Sequence, residues 1–146
     1  MRSHIYLHMV WTTLARSPLI DAVRADYLVK YFRYVADQEH VAIVACGMVT
    51  THVHVLVQTG PTFDGARLAQ RFKGGSATIA GHQAIGDIAN PLRWAKGYSV
   101  HSVSPRAVGL VIRYVERQDQ NHPDEAIPGW RPVSSCRSLI ASARQE

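Results

Sequence analysis

The sequence predicts an α+β fold: a four-stranded antiparallel sheet with two covering helices, plus one further helix towards the C-terminal end. Three observations predict it. Apolar and polar residues alternate near the start, the two-residue period of a half-buried strand. Further runs of strand length are rich in β-branched residues. Between and after them lie longer stretches whose apolar residues recur at three- and four-residue intervals, the period of a helix.

Taken in order, Ile5, Leu7, Met9 and Trp11 alternate with His4, Tyr6, His8 and Val10 in a first strand with one apolar and one more polar face. Ser17-Pro18 starts a helix running to about Glu39. Its stripe is Ile20, Val23, Tyr27, Tyr31 and Tyr34, with Arg24, Lys30 and Arg33 largely outside it. Residues 41–49 are apolar throughout, as in a central strand. Thr50-Thr51 is a tight connection into a third strand, 52–58, and Gly60-Pro61 breaks the chain. Asp64-Gly65 opens a second helix through Ala66, Leu68, Ala69 and Phe72. Its Gly74-Gly75 pair either brings backbone N–H groups to phosphates or marks a kink or end. Asn90-Pro91 is a loop, and residues 94–103 read as the fourth strand. Ser104-Pro105 supplies the N-cap and first residue of the last helix, whose stripe is Val108, Val111, Ile112 and Val115. Residues 123–146 read as a proline-bearing tail with a short segment around Leu139 and Ile140, and residues 1–146 as one domain. The order β-α-β-β-α-β-α fits the ferredoxin-like split βαβ plan. With the helices over Ile5 and Leu7, residues His4, Tyr6 and His8 share the opposite face with His52 and His54.

Two clusters carry chemistry. His52 and His54 are two apart in a strand, so they point to one face about 7 Å apart and can grip one metal ion. Two satisfied histidines on a half-exposed sheet give the same pattern. Tyr114 and Gln118 are four apart in the last helix and stack on one face. A phenol and a carboxamide together offer a nucleophile and a neutral oxygen ligand, although a packing tyrosine and a solvated glutamine would look alike. His122, a turn further on, and Asp119, on another face, are weaker ligand candidates.

The formal net charge is +5, and it is unevenly placed. Residues 66–117 hold eight basic side chains and two acids, a net +6, while the remainder nets −1. That imbalance suggests a polyanion partner. Arg67, Arg71, Lys73, Arg93, Lys96 and Arg113 are the candidate polyanion-binding residues of this segment. The two cysteines, Cys46 and Cys136, form no metal or disulfide pattern, which fits a reducing cytoplasm. The start has no signal-peptide core, and the longest apolar run, 41–49, is too short to span a bilayer.

His52-Val53-His54 matches the His, bulky apolar, His motif of a known superfamily. Met9-Val10-Trp11-Thr12-Thr13 looks like its first strand, Phe72-Lys73-Gly74-Gly75-Ser76 its second-helix motif, and residues 97–103 the strand before its nucleophile helix. Tyr114-Val115-Glu116-Arg117-Gln118 resembles its nucleophile motif. In this order, from about His4 to Gln118, the chain resembles the small tyrosine transposases of insertion sequences and their REP-associated relatives, within the HUH endonucleases. Two positions depart from the pattern: Thr51 stands where Asp or Asn commonly precedes the first histidine, and Ser104 where a Gly often follows the fourth strand.

The resemblance implies cleavage and rejoining of single-stranded DNA beside a hairpin, for DNA transposition. Tyr114 would form a 5′-phosphotyrosine link, and His52, His54 and Gln118 would hold Mg²⁺ or Mn²⁺. It also implies a homodimer with composite active sites, the tyrosine helix of one subunit completing the His-x-His of the other. Free tyrosine has a pKa near 10, so it needs activation at neutral pH. A histidine-triad hydrolase is excluded by Leu56, and a two-histidine phosphoesterase by the absence of any His-x-Thr or His-x-Ser. The remaining rival is a domesticated hairpin-binding protein without transposition activity. The basic segment makes a first prediction: binding to single-stranded or hairpin DNA weakens steeply as salt rises, and such DNA outcompetes plain duplex. A flat salt response in a filter-binding titration, or a preference for duplex, contradicts it.

Overall fold

The computed structural model describes residues 5–130. His4, Cys136 and the segment expected around Leu139 and Ile140 lie outside the described residues. Strand β1 (Ile5–Thr12) buries Leu7, Met9 and Trp11 and leaves Tyr6, His8 and Val10 half-buried, as its alternation requires. Helix α1 (Ala22–Gln38), β2 (Ala42–Val49) and β3 (His52–Thr59) follow. The sheet order is β2-β3-β1-β4, antiparallel throughout, with β4 formed by Ser99–Val103. This is the expected split βαβ sheet.

One face of the sheet carries the main core. Leu7, Met9 and Trp11 of β1 and Val53, Val55 and Val57 of β3 pack against Leu28, Phe32 and Val35 of α1 and against Leu68 and Phe72. Trp11 sits at its centre, with Phe32 edge-on at 5.5 Å and Phe72 stacked at 6.2 Å between ring centroids. The second covering helix is one rod in three parts: α2 (Gly65–Gln70), a wide π turn (Arg71–Gly75) and α3 (Ser76–His82). Asp64 caps it by accepting the Arg67 N–H at 3.0 Å. The glycine pair lies at the end of the π turn, an irregularity within the helix rather than its end. Gly75 is needed because a Cβ there would lie 1.9 Å from the Tyr31 hydroxyl.

Several sequence expectations change. Helix α1 starts at Ala22 with Asp21 as its cap, not at Ser17-Pro18. The preceding segment is held extended against the sheet, with the Ile20 N–H donating to the Thr50 carbonyl. The buried stripe of α1 is Arg24, Ala25, Leu28, Phe32, Val35 and Ala36, while Val23 and Tyr34 are exposed. Tyrosines favour the edge of such a face because the hydroxyl needs a partner, as Tyr27 finds in the Ser76 carbonyl at 2.8 Å. Arg24 is buried, and its guanidinium donates to the carbonyls of Leu19, Ile85 and Asp87. Strand β2 is an edge strand, not a central one. It is apolar on both faces because α1 packs on one side and α4 (Val108–Glu116) on the other. The fourth strand is only Ser99–Val103, and Trp94 makes a separate bridge to Thr13.

The last helix starts at Val108 rather than at Pro105, which lies in a turn before it. Its stripe is as expected: Val115 is fully buried with Val44, Ala45 and Leu56, and Val108, Val111 and Ile112 pack around them. A short α5 (Gln118–Asn121) and a 3-10 turn (Pro123–Glu125) follow. Residues 123–130 are not a loose start to a tail, since Ile127 and Trp130 are buried in the main core. The Trp130 indole N–H donates to Asp26 at 3.1 Å.

The approach of α4 to β2 is close enough that a Cβ on Gly47 would lie 1.8 Å from the Val115 carbonyl oxygen. Gly47→Ala should therefore cost about 1–3 kcal/mol, the range for overpacking. Gly109→Ala, on the same helix with open space around it, should be neutral or stabilising. Urea denaturation of the two variants checks this, and equal midpoints would contradict it.

Candidate active site

The sheet face opposite the main core carries the histidines. Alternation along β3 sends Val53, Val55 and Val57 to the core and leaves His52, His54 and Leu56 on the other side. Both histidines are nearly sealed from solvent, at 4% and 5% exposure. Their ring centroids are 5.2 Å apart. The sheet face that carries them is therefore covered rather than half-exposed.

Helix α4 brings the other two residues. Gln118 is fully buried, and its side-chain oxygen lies 3.3 Å from His52 Nε2. Its amide N–H donates to the Tyr114 carbonyl at 2.9 Å. The helix breaks at Arg117 (φ −106°, ψ 27°), so Tyr114 and Gln118 do not share one continuous helix as expected. The Gln118 side chain takes the Tyr114 carbonyl, the acceptor that a continuing helix would give to the Gln118 backbone N–H. That substitution keeps the two residues together across the break. The Tyr114 ring is about half exposed and stands edge-on to His54, 5.5 Å between centroids. The tyrosine that stands beside this His-x-His pair here belongs to the same chain.

Three residues beyond the expected set complete the cluster. His8 Nε2 lies 2.9 Å from His54 Nδ1, and the two rings stack. Thr51 Oγ1 lies 3.1 Å from His52 Nδ1 and donates to Glu125 Oε1 at 2.9 Å. The alternation of β1 put His8 on this face, but only the register, which pairs Val10 with His54, sets it diagonally beside His54. Glu125 lies 74 residues from Thr51, and no sequence spacing connects them. His122 stands edge-on to His52 at 5.0 Å, and Asp119 is turned to the N–H of Gln120.

Burial keeps the imidazoles neutral. His54 is pushed down to about 3 by burial first, then by the neighbouring His8, His52 and His122. His52 is lowered by burial, against the hydrogen bond that a protonated ring would donate to the Gln118 side-chain oxygen. His8 is lowered by burial and by His101. Neutral imidazoles and an amide oxygen are the form in which these groups ligate a cation. Among the described residues, no group of three or more His, Cys, Asp or Glu is arranged to hold a metal. The third donor here is a glutamine amide. The donor set therefore fits a divalent ion, with His52, His54 and Gln118 providing two nitrogens and one oxygen.

The basic residues divide into three places. Lys73, Arg93 and Lys96 line a groove of about 600 Å³ with Leu14, Trp94 and Tyr98. The Lys73 ammonium donates to the carbonyls of Ala95 and Gly97. Arg67 and Arg71 instead pair with Glu39, at 2.8 and 3.0 Å, and Arg71 also donates to Gln38. Arg113 is exposed on α4, next to Tyr114.

The chain matches the family described as transposase IS200 like over residues 1–118. No curated protein sequence matches it. Among solved structures, a candidate transposase from Deinococcus radiodurans R1 is 26% identical, with a TM-score of 0.58, over 81% of this chain and 92% of its own. A REP-associated tyrosine transposase bound to a REP hairpin has a TM-score of 0.63 at 14% identity, over 84% of this chain and 70% of its own. At that identity the second likeness shows the fold alone.

The buried imidazoles make stability depend on pH. The folded pKa of His54 is depressed to about 3 from 6.5, so below about 6.5 the unfolded chain takes up a proton that the folded chain refuses. Its contribution is fully present above pH 6.5 and is lost as pH falls towards 3; His52 and His8 act in the same direction. Urea midpoints of the metal-free protein should fall between neutral pH and about pH 4, and less steeply for His54→Leu. The same slope in both proteins would show that His54 is not held neutral.

Proposed function

Because the chain belongs to the IS200-like transposase family, we propose that it cuts and rejoins single-stranded DNA through Tyr114. The proposed substrate is single-stranded DNA next to a hairpin. The carrying observation is the phenol of Tyr114 beside two buried neutral imidazoles and a buried glutamine oxygen, all within one chain. The solved relative bound to a REP hairpin supports a hairpin partner. Lys73, Arg93 and Lys96, with Tyr98, offer phosphate contacts and an aromatic face for the unpaired strand. Arg67 and Arg71 are weaker contacts in this reading, because both are already paired with Glu39.

In the proposed step, the Tyr114 oxygen attacks the scissile phosphorus as its proton leaves. A new tyrosyl O–P ester forms, the P–O3′ bond breaks, and the 3′-oxygen takes up a proton. The ester stays as reactive as the bond it replaced, so a second 3′-hydroxyl can reverse the step and join a new strand. His52, His54 and Gln118 are the proposed ligands of Mg²⁺ or Mn²⁺, which when bound would supply Lewis-acid polarisation of the phosphate. Their burial excludes water around the donors, and the exposure of Tyr114 leaves the nucleophile open to DNA. His8 and Thr51 hold the two rings through their Nδ1 atoms. The site is proposed to act in cis, so any homodimer would carry two complete sites rather than exchange tyrosine helices.

Tyr114→Phe should abolish the covalent protein–DNA adduct with hairpin-flanked single strand while leaving hairpin binding within about twofold, since only a hydroxyl is lost. EDTA should abolish the adduct of the native protein, and Mn²⁺ should restore it. Denaturing gels and gel shifts read these outcomes. An adduct from Tyr114→Phe, or one that survives EDTA, contradicts the assignment. No adduct from the native protein under any condition would favour a hairpin-binding protein without cleavage. Co-expressed His54→Ala and Tyr114→Phe chains should give no rescue. Rescue from verified heterodimers would place the tyrosine in trans.

A further inference from the structure

The 3-10 turn after α5 is docked onto the connection between β2 and β3. The Thr50 N–H donates to the Glu125 carbonyl at 2.8 Å, which fixes the turn independently of its side chain. From there a chain of polar contacts crosses the site. Glu125 Oε1 is 2.9 Å from Thr51 Oγ1, Thr51 Oγ1 is 3.1 Å from His52 Nδ1, and His52 Nε2 is 3.3 Å from Gln118 Oε1. We infer that Glu125 is a positioning residue, acting through Thr51 to hold His52 in the tautomer whose Nε2 lone pair faces Gln118. The purpose of that arrangement rests on the reading of His52 and Gln118 as cation ligands.

The number of available protons fixes the arrangement. A carboxylate accepts hydrogen bonds and has no proton to give, and a threonine hydroxyl has one. If that proton goes to Glu125, the Thr51 oxygen is left to accept from His52 Nδ1–H. A neutral imidazole then carries a bare lone pair on Nε2. The Gln118 amide cannot turn to meet it with a donor, because its N–H₂ is engaged by the Tyr114 carbonyl. Two lone pairs therefore face each other, at a separation longer than the usual N–H···O distance of about 2.9–3.0 Å. A cation satisfies both.

The opposite tautomer would let His52 Nε2–H donate to Gln118. It would also turn the Thr51 hydroxyl towards His52, leaving the Glu125 carboxylate against a bare hydroxyl oxygen at 2.9 Å. Hydrogen bonds to a carboxylate are about twice as strong as neutral ones. The Thr51 hydroxyl is buried at 4% exposure, so bulk water does not reach its side of the contact, although the Glu125 carboxylate keeps some solvent. The first arrangement therefore wins, and the mismatch is moved to the place where a ligand can resolve it. Glu125 lies beyond the residues matched by the family, which end at 118. Its other oxygen faces His122 Nδ1 at 3.8 Å.

The test is histidine nitrogen NMR on metal-free, ¹⁵N-labelled full-length protein, with Mn²⁺ affinity read separately by electron paramagnetic resonance. The native protein should show His52 protonated on Nδ1. Glu125→Ala, and the isosteric Thr51→Val, should each move the proton towards Nε2 and weaken Mn²⁺ binding about 10- to 100-fold, the range for removing an outer-shell partner. The double variant should lose no more than either single one, because both break one relay. Native His52 protonated on Nε2, or variants that leave its tautomer unchanged, would overturn the inference. A native Nδ1–H tautomer that both variants disturb, in a protein that binds no Mn²⁺, would support the relay and reject the ligand reading instead.

Discussion

The Val115 carbonyl rests so closely on the Gly47 backbone that any side chain there would collide with it. Glycine inside a strand usually weakens it, but it is what a close backbone approach requires. Val115 lies between the two residues that matter most on this helix turn, Tyr114 beside it and Gln118 after the break. A helix held further out would carry the phenol away from His54 and the amide away from His52. The small apolar cluster of Val44, Ala45, Leu56 and Val115 supplies the burial that pulls the helix in. Packing on a glycine of an edge strand thus positions the chemistry of the sheet face that carries the histidines.

Burial then divides the site into two environments. The imidazoles and Gln118 are sealed, and the phenol is open. Protonated imidazoles this close and this buried would repel each other without solvent to screen them. Holding them neutral leaves lone pairs in a pocket poor in water, where an electrostatic interaction with a cation is stronger than at the surface. Each buried ring nitrogen on the Nδ1 side has a partner, from His8 for His54 and from Thr51 for His52. The rings are oriented before any ligand arrives, and the outer shell makes that orientation specific.

The positive charge of the chain serves more than one purpose. Arg24 is buried and binds three carbonyls, so it fastens the loop around Gly86 rather than a partner molecule. Arg67 and Arg71 converge on Glu39 and join the second covering helix to the end of α1. Exposed pairs of this kind contribute little stability, and both guanidiniums are already engaged. Lys73, Arg93 and Lys96 remain around one groove, where no acidic residue lines the wall.

Much of this was legible in the sequence because it is local. Alternation in β1 and β3 fixed which residues share a face, and the valine stripe of the last helix fixed which side it packs. The His-x-His and Tyr-to-Gln spacings named the four residues that the structure gathers. What was not legible depends on long-range contacts. The stripe of α1 was misread because its tyrosines look apolar, and because nothing local says that Arg24 finds three buried carbonyls. Strand β2 looked central because a helix covers each of its faces, and the second of those helices comes 59 residues after the strand ends. Gly74 and Gly75 carry the composition of a helix end, yet the helix runs through them, and Tyr31 from α1 lies where a side chain at position 75 would go. His8 and Glu125 join the site only through sheet register and the docking of a turn, contacts that span 46 and 74 residues. Sequence spacing determines which side chains of one element face the same way, but only the packed chain decides which elements meet.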